Sequence, residues 1–285
     1  MSLRSKARGV CKVINTFVRQ PSPSTWVLRA LPESSRGLSY SEGWQFPADD
    51  RREARTPEPE ASLDSRNPLR QYFDLHQTGR GIWKVDHYFE IYHRHFRKFI
   101  GREVHIVEVG VFSGGSLEMW KEYFGPQCRV YGVDVNPACK AYEADRIEIF
   151  IGDQGDRQFW QSFRQQVPSV DILIDDGGHL PEQQIVTLEE MLPHLRPGGV
   201  YLCEDVLGVH NRFGAYVSGL ANGVNACPPD GIPADPQGNT YSIASTRFQR
   251  DIHSLHLYPY VVVIEKCEHP KEKLVTLRHG TEWLW

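Results

Sequence analysis

Acidic side chains and a histidine follow two predicted strands in the middle of the chain. The first set is the run DDGGH that ends at His179, and the second is the pair Glu204 and Asp205. In a chain of alternating strands and helices these two strands are neighbours, so both sets are expected at the same carboxyl edge of a parallel sheet. Carboxylates packed without a counter-ion repel one another, and an oxygen-rich cluster suits Mg²⁺, or alternatively Ca²⁺ or Mn²⁺. We therefore expect a divalent cation bound by Asp176, Glu204 and Asp205, with His179 as a general base.

A glycine-rich turn follows the first predicted strand. Glu108 stands two residues before the first glycine of a G-x-x-x-G-G pattern. This spacing differs from the G-x-G-x-x-G of dinucleotide-binding turns, and the acid before it would repel a pyrophosphate but suits a cationic ligand. Such a turn lets a ligand approach the backbone and the helix N-terminus, so we expect ligand contacts from Glu108, Gly110, Gly114, Gly115 and Ser116. The alternative is a tight turn that binds no ligand.

Polar side chains also end the next strands of the predicted sheet. Asp134 ends the second strand (RVYGVD), where a carboxylate can accept hydrogen bonds from both hydroxyls of a ribose. Asp153 and Gln154 follow the third strand, where an acid can meet an adenine amino group, and Asp175 ends the fourth. Each acid at a strand end could instead cap the following helix or be solvated. The same alternative holds for Asp176, Glu204 and Asp205. The succession of polar side chains after the glycine turn favours an adenosyl ligand bound by this second group of residues.

The elements that position these groups are short β-branched runs alternating with helical stretches after Gly101. Strands are predicted at 105–109, 129–133, 147–151, 170–174 and 199–203, and helices near 115–124, 136–143, 157–166, 181–193 and 210–220. This alternation predicts an α/β fold with a mostly parallel sheet and helices on both faces. Two later strands, at 254–258 and 261–265, have no helix between them and predict a hairpin. Residues 222–240 are rich in Gly, Pro and Asn, which is typical of a lid or binding loop.

The first 70 residues differ in composition from the rest. Residues 47–70 are rich in charge and almost free of apolar side chains, so they cannot bury enough surface to offset the entropy of ordering. We therefore predict a disordered, charged extension at 1–70 and a single domain at 71–285, with structure beginning near Tyr72. A helix over 87–101 would follow, with its aromatic side buried and its basic side solvated.

Composition disfavours several classes of function. The net charge is −4, and the N-terminal extension is the more basic part, so the predicted domain is acidic and a poor partner for nucleic acid. No apolar run approaches the roughly 18–20 residues that span a bilayer. The 6 cysteines show no C-x-x-C spacing, which favours free thiols in a reducing, cytoplasmic compartment. The basic, serine-rich residues 1–36 leave organelle import open as an alternative.

The run from Glu108 to Val206 resembles a class I S-adenosylmethionine-dependent methyltransferase. Three stretches carry the resemblance: VEVGVFSGGS, VYGVD, and ILIDDGGH followed by YLCEDV. They resemble most the metal-dependent branch that contains macrolide-sugar O-methyltransferases (macrocin and mycinamicin type) and cephalosporin-hydroxylase-like proteins. The resemblance implies a Rossmann-like, doubly wound, mostly parallel seven-stranded sheet whose last strand is antiparallel. It also implies Mg²⁺ at Asp176, Glu204 and Asp205, His179 as the base, and frequent oligomers, which leaves a homo-oligomer open for this chain.

The predicted activity is an S-adenosylmethionine- and Mg²⁺-dependent O-methyltransferase that acts on a hydroxyl of a small molecule or sugar moiety, of the natural-product type. The metal would chelate substrate oxygens and lower the hydroxyl pKa, and His179 would take the proton. Residues 72–95 and 222–245 would form the acceptor pocket. Two alternatives stay open: an NAD-dependent oxidoreductase, which the missing G-x-G disfavours, and a non-catalytic adenosyl-binding protein. Neither a nucleic-acid partner nor a membrane span is expected.

Overall fold

The computed structural model describes residues 67–226, 241–277 and 279–280, together with 34–36, 38, 39 and 41. The chain divides into two compact units. The larger comprises 61–226 and 245–272, and the smaller comprises 1–60, 227–244 and 273–285. The larger unit contains the main sheet and all the residues that the sequence predicts as catalytic, donor-binding or metal-binding, whereas 227–244 of the predicted acceptor pocket belong to the smaller unit.

Seven strands form a mixed sheet in the larger unit. They are β1 (Val104–Val109), β2 (Cys128–Asp134), β3 (Ile147–Ile151), β4 (Val170–Asp175), β5 (Leu195–Cys203), β7 (Ile252–Tyr258) and β8 (Val261–Lys266). Their order is β3-β2-β1-β4-β5-β8-β7. The first five strands are parallel, whereas β8 pairs antiparallel with both β5 and β7 and lies one position inside the edge. The predicted seven-stranded, mostly parallel sheet with an antiparallel last strand is confirmed.

Two short strands, β6 (Tyr241–Ala244) and β9 (Lys273–Thr276), pair antiparallel in the smaller unit. The sequence analysis did not predict either strand, because four-residue strands are too short for a clear alternation of polar and apolar residues. Of the predicted loop at 222–240, the first residues continue a helix to Val224, and 227–240 lie outside the described residues.

Helices cover both faces of the main sheet. The α-helices of the larger unit are α1 (Pro68–Leu75), α2 (Tyr88–Phe96), α3 (Gly115–Phe124), α4 (Arg157–Gln166), α5 (Pro181–Met191), α6 (Arg212–Val224) and α7 (Arg247–Asp251). Successive residues of a strand point to opposite faces, so Ile106 packs in one core with α2 and α3, and Val107 packs in the other with α4, α5 and α6. Among the helices of the described residues, none is long and apolar enough to cross a membrane.

Several boundaries differ from the predicted ones. The segment Pro137–Tyr142 is a 3₁₀ helix rather than an α-helix, and β5 begins at Leu195 rather than at 199. A proline at 197 and glycines at 198 and 199 hide the start of β5, because these residues are uncommon inside strands. The first helix of the larger unit begins at Pro68, four residues before Tyr72, because Asn67 caps it.

Asn67 links α1 to α2 through hydrogen bonds, and its contribution to the stability of the fold can be tested. Its Oδ1 accepts a hydrogen bond from the Leu69 amide (3.1 Å), and its Nδ2 donates to the Phe89 carbonyl (2.8 Å). Asn67→Ala removes both the cap of α1 and the hydrogen bond to the Phe89 carbonyl, so we expect a loss of about 1–3 kcal/mol in the free energy of unfolding, measured by urea denaturation.

The matched control is Asn211→Ala, which removes the cap of α6 but no bond between helices. The Asn67 variant should lose more stability than this control. Equal losses would mean that the bond to Phe89 contributes nothing.

Candidate active site

A cavity of about 590 Å³ opens at the carboxyl edge of the main sheet. Each of the first five strands contributes to its wall through residues at or just after its end: Gly110, Asp134, Gly152, Gln154, Asp176, His179, Glu204 and Asp205. The segment before α2 adds Trp83, Lys84 and Val85, and α2 itself adds Tyr88. The volume lies within the range of small-molecule and cofactor sites.

The structure brings together only part of the predicted set at this wall. Gly110, Asp134, Gln154, Asp176, His179, Glu204 and Asp205 line the cavity. The remaining predicted residues lie behind the wall or outside it, namely Glu108, Gly114, Gly115, Ser116, Asp153 and Asp175. The contacts of these residues with other parts of the protein explain why they do not line the cavity.

At all three glycines of the turn, the absence of a side chain makes room for another part of the protein. Gly110 has φ +91°, and a Cβ there would lie 2.0 Å from the Asp176 carbonyl oxygen, so this glycine allows two strand ends to approach. A Cβ on Gly114 would lie 2.8 Å from the Tyr142 ring, and one on Gly115 would lie 2.5 Å from the carbonyl oxygens of residues 80 and 81. The start of α3 is therefore covered by the preceding segment of the chain.

Asp134 is held in a fixed orientation on the cavity wall. Its Oδ2 accepts a hydrogen bond from the Phe112 amide (3.1 Å), and its Oδ1 accepts one from the Asn136 amide (2.8 Å). Each carboxylate oxygen can accept more than one bond, so both oxygens keep acceptor capacity. The position and orientation suit a pair of vicinal hydroxyls.

The third strand places Gln154, and not Asp153, at the cavity. Asp153 is exposed, and its Oδ1 accepts from the Gly155 amide (2.7 Å) and from Nε2 of Gln183 (3.0 Å). Gln154 is buried, and its Nε2 donates to Oδ1 of Asp175 (2.8 Å). Asp175 is itself buried behind the wall, and this burial raises the pKa of its carboxyl to about 6.

A buried lysine that the sequence analysis missed lies among the acids. The Lys84 side chain is 3% exposed, and its Nζ lies 2.5 Å from Oδ2 of Asp176 and 3.2 Å from Glu204. Nζ is also 3.7 Å from Oε1 of Glu108, whose Oε2 accepts a hydrogen bond from Ser116. Burial alone lowers the pKa of Lys84, but the three acids together raise it above its usual value. The lysine is therefore the counter-ion that this acid cluster needs.

Glu204 faces this lysine. Its side chain is 1% exposed, and its Oε1 accepts hydrogen bonds from both Lys84 and the Tyr92 hydroxyl (2.5 Å). Burial raises the pKa of the Glu204 carboxyl, and Lys84 opposes that rise. Of the three acids predicted as metal ligands, Glu204 is thus the one most engaged with protein groups.

Asp176, His179 and Asp205 form the part of the cluster that faces the cavity. Each offers one ligand atom, and these atoms lie within 4.8 Å of one another. Nε2 of His179 is 3.6 Å from Oδ2 of Asp205, whose Oδ1 accepts from the Tyr88 hydroxyl (2.7 Å). Both His179 and Asp205 have φ +54°, a left-handed conformation that is uncommon outside glycine and that occurs at functional sites.

Comparison with known proteins agrees with this geometry. Residues 107–206 match the family model described as a methyltransferase domain. The chain is 32% identical over 202 residues to mycinamicin VI 2''-O-methyltransferase of Micromonospora griseorubida, covering 65% of this chain and 48% of that protein. It is 31% identical over 199 residues to 8-demethyl-8-alpha-L-rhamnosyl tetracenomycin-C 2'-O-methyltransferase of Streptomyces olivaceus, covering 66% and 52%. The chain thus spans about half the length of these curated relatives.

A solved structure with a similar fold is the MycE methyltransferase from the mycinamycin biosynthetic pathway, in complex with Mg and SAH. The two chains share 27% sequence identity with a TM-score of 0.55, over 70% of this chain and 54% of that one. The resemblance predicted from the sequence is confirmed by these matches.

Proposed function

We propose that the chain is an S-adenosylmethionine-dependent, Mg²⁺-assisted O-methyltransferase acting on a hydroxyl of a small molecule or sugar moiety, because residues 107–206 match the family model of a methyltransferase domain. The observation that carries the proposal is a single cavity with Asp134 on one part of its wall and His179 beside two acids on another. One part suits an adenosyl donor, and the other suits deprotonation of an acceptor hydroxyl. The names of the curated relatives support the same reaction class.

The donor would bind along the ends of β1, β2 and β3. Asp134 would accept hydrogen bonds from the ribose hydroxyls, and the apolar residues Val133 and Val135 beside it would contact the base. When bound, the sulfonium donor supplies a methyl group that is already activated, so the protein has to align the acceptor oxygen and exclude water. The acids at the edge of the sheet suit the positive charge of the sulfonium.

The cavity-facing acids fit a divalent cation. Asp176 and Asp205 would hold it, since Lys84 contacts Oδ2 of Asp176 and leaves Oδ1 available, and Glu204 would stand beside them. When bound, such an ion lowers the pKa of a coordinated hydroxyl. His179 would accept the hydroxyl proton on Nδ1, the ring nitrogen that does not face Asp205. The Asp205 carboxylate, 3.6 Å from Nε2, stabilises the resulting imidazolium.

The two alternatives have weaker support. An NAD-dependent oxidoreductase would need an open glycine turn for its pyrophosphate, whereas Gly114 and Gly115 pack against Tyr142 and the backbone of residues 80 and 81. A non-catalytic adenosyl-binding protein would have no use for His179 held beside Asp205 in a strained conformation. We therefore favour methyl transfer.

The proposal extends to partners and location. A small hydroxylated acceptor, and not a nucleic acid, suits a wall that contains several acids. A cytoplasmic location agrees with the free thiols at Cys128, Cys139, Cys203 and Cys267. A homo-oligomer, as the resemblance implies, is part of the proposal.

The donor half is tested by calorimetry with S-adenosylhomocysteine. We expect Asp134→Ala to weaken binding by about 1–3 kcal/mol, because the ribose hydroxyls lose a charged partner. The matched control is Asp153→Ala, which removes an exposed acid at the neighbouring strand end and should leave the affinity nearly unchanged. Equal affinity of the wild type and the Asp134 variant would contradict the assignment, as would binding of NAD.

A further inference from the structure

Lys84 makes a set of contacts that resembles the coordination of a metal ion. Its ammonium lies among carboxylates at the ends of three different strands: Glu108 in β1, Asp176 after β4 and Glu204 after β5. The side chains of Glu108 and Glu204 are at most 1% exposed. The ammonium donates hydrogen bonds to Asp176 and Glu204, and it forms an ion pair with Glu108 at 3.7 Å, beyond hydrogen-bond distance.

The position of this ammonium is built into the fold. The segment that carries Lys84 packs tightly on the start of α3, because the carbonyl oxygens of Arg80 and Gly81 lie where a Cβ on Gly115 would be. On its other side, the Tyr92 hydroxyl of α2 shares Oε1 of Glu204 with Nζ. Lys84 is therefore placed by backbone packing and not by a mobile surface segment.

The acids around Lys84 also form the set that a divalent cation prefers. Oxygen ligands from several carboxylates are typical of Mg²⁺ and Mn²⁺ sites. Oε1 of Glu108 is buried and has no hydrogen-bond partner within the described part of the chain. The buried carboxylates around Lys84 therefore need a cation at the position of its ammonium, whether or not a metal binds on the cavity side.

We propose that the Lys84 ammonium occupies a cation position that a second divalent ion would otherwise take. It holds Glu108, Asp176 and Glu204 together in the absence of metal and limits the chain to one ion, on the side of Asp176 and Asp205. The number of ions rests on the metal part of the proposed function, whereas the role of Lys84 as a built-in cation does not. Lys84 is a positioning residue, because it acts on the acids and not on the reacting atoms.

The test replaces Lys84 in the 285-residue chain and counts bound Mn²⁺ by electron paramagnetic resonance. The wild type should bind one Mn²⁺ per chain. Lys84→Met should bind two, because the methionine keeps the apolar stem but removes the charge. Without metal its melting temperature should fall by several degrees, and Mn²⁺ should restore it.

The matched control is Lys121→Met, which removes a largely buried ammonium 3.1 Å from Glu118, outside both groups of candidate metal ligands. This variant should keep one Mn²⁺ and show no additional stabilisation by the metal. If Lys84 had only a structural role, Lys84→Met would lose stability and Mn²⁺ would not restore it.

The outcomes separate this inference from the proposed function. Two ions in the wild type would overturn the role of Lys84 even if Lys84→Met fails to fold. No ion in the wild type but one in Lys84→Met would support Lys84 as a cation and contradict the Mg²⁺ proposal. One ion in both, without restored stability, would overturn the inference and leave the methyltransferase proposal standing.

Discussion

Replacing His179 with alanine is expected to lower turnover by about 10²–10⁴-fold, the usual range for loss of a general base. The affinity for S-adenosylhomocysteine and the binding of Mn²⁺ should stay close to those of the wild type, because Asp134, Asp176 and Asp205 are untouched. Residual activity should rise with pH, since the acceptor hydroxyl then ionises without assistance. Single-turnover kinetics with a hydroxylated acceptor measure the effect.

The control for this variant is His210→Ala, which removes an exposed histidine a short distance along the chain. It should retain full turnover at every pH. A His179 variant that loses activity by less than tenfold, or whose residual rate does not rise with pH, would remove the histidine from the role of base. Loss of donor binding in the same variant would indicate damage to the cavity instead.

The fold was largely predictable because its signals are local. β1, β2, β3, β4 and β8 are short runs rich in β-branched residues, and the longer helices have an apolar side that repeats with the helical period. Acids at strand ends meet at one edge of a parallel sheet for topological reasons, so the sequence alone predicts that Asp134, Asp176 and Asp205 lie at the same edge. The ends of elements were less predictable, as at β5, where proline and glycine occur inside the strand.

The residues that were missed or misplaced depend on contacts between distant parts of the chain. Gly115 has the sequence context of a ligand-binding turn, yet the carbonyl oxygens of residues 80 and 81 cover it. Asp153 and Gln154 are adjacent, and their sequence alone does not tell which one faces the cavity. Lys84 lies outside any motif, and the signal for it was indirect, since the converging acids required a counter-ion.

That counter-ion changes what is expected of the metal ligands. The sequence predicts the same role, that of a metal ligand, for Asp176, Glu204 and Asp205. In the structure Glu204 instead accepts hydrogen bonds from Lys84 and Tyr92, and one carboxylate oxygen of Asp176 contacts Lys84. Asp205 has no contact with the lysine and is 30% exposed. A substitution at Asp205 is therefore the cleanest test of metal binding, because it leaves the buried ion pairs intact.

Asp205→Asn is expected to weaken Mn²⁺ binding by more than ~100-fold. Loss of a residue that only hydrogen-bonds to a metal ligand costs ~10–100-fold in affinity, and here a charged ligand itself is removed. Turnover should fall by roughly 10²–10³-fold, the rate equivalent of losing several kcal/mol of metal assistance. The asparagine can still accept the hydrogen bond from Tyr88, so the melting temperature should change little. The measurements are Mn²⁺ titration by paramagnetic resonance and turnover with and without a chelator.

Wild-type turnover should vanish in excess chelator and return with added Mg²⁺, whereas the Asp205 variant should respond to neither. The control is Asp153→Asn, an acid at the same edge of the sheet that lies outside the cavity wall. This control should keep both its ion and its response to the chelator. If the wild type turns over at full rate in excess chelator, the acids do not act through a metal. Asp205 would then serve only to stabilise the imidazolium of His179, and its replacement would lower turnover without changing metal dependence.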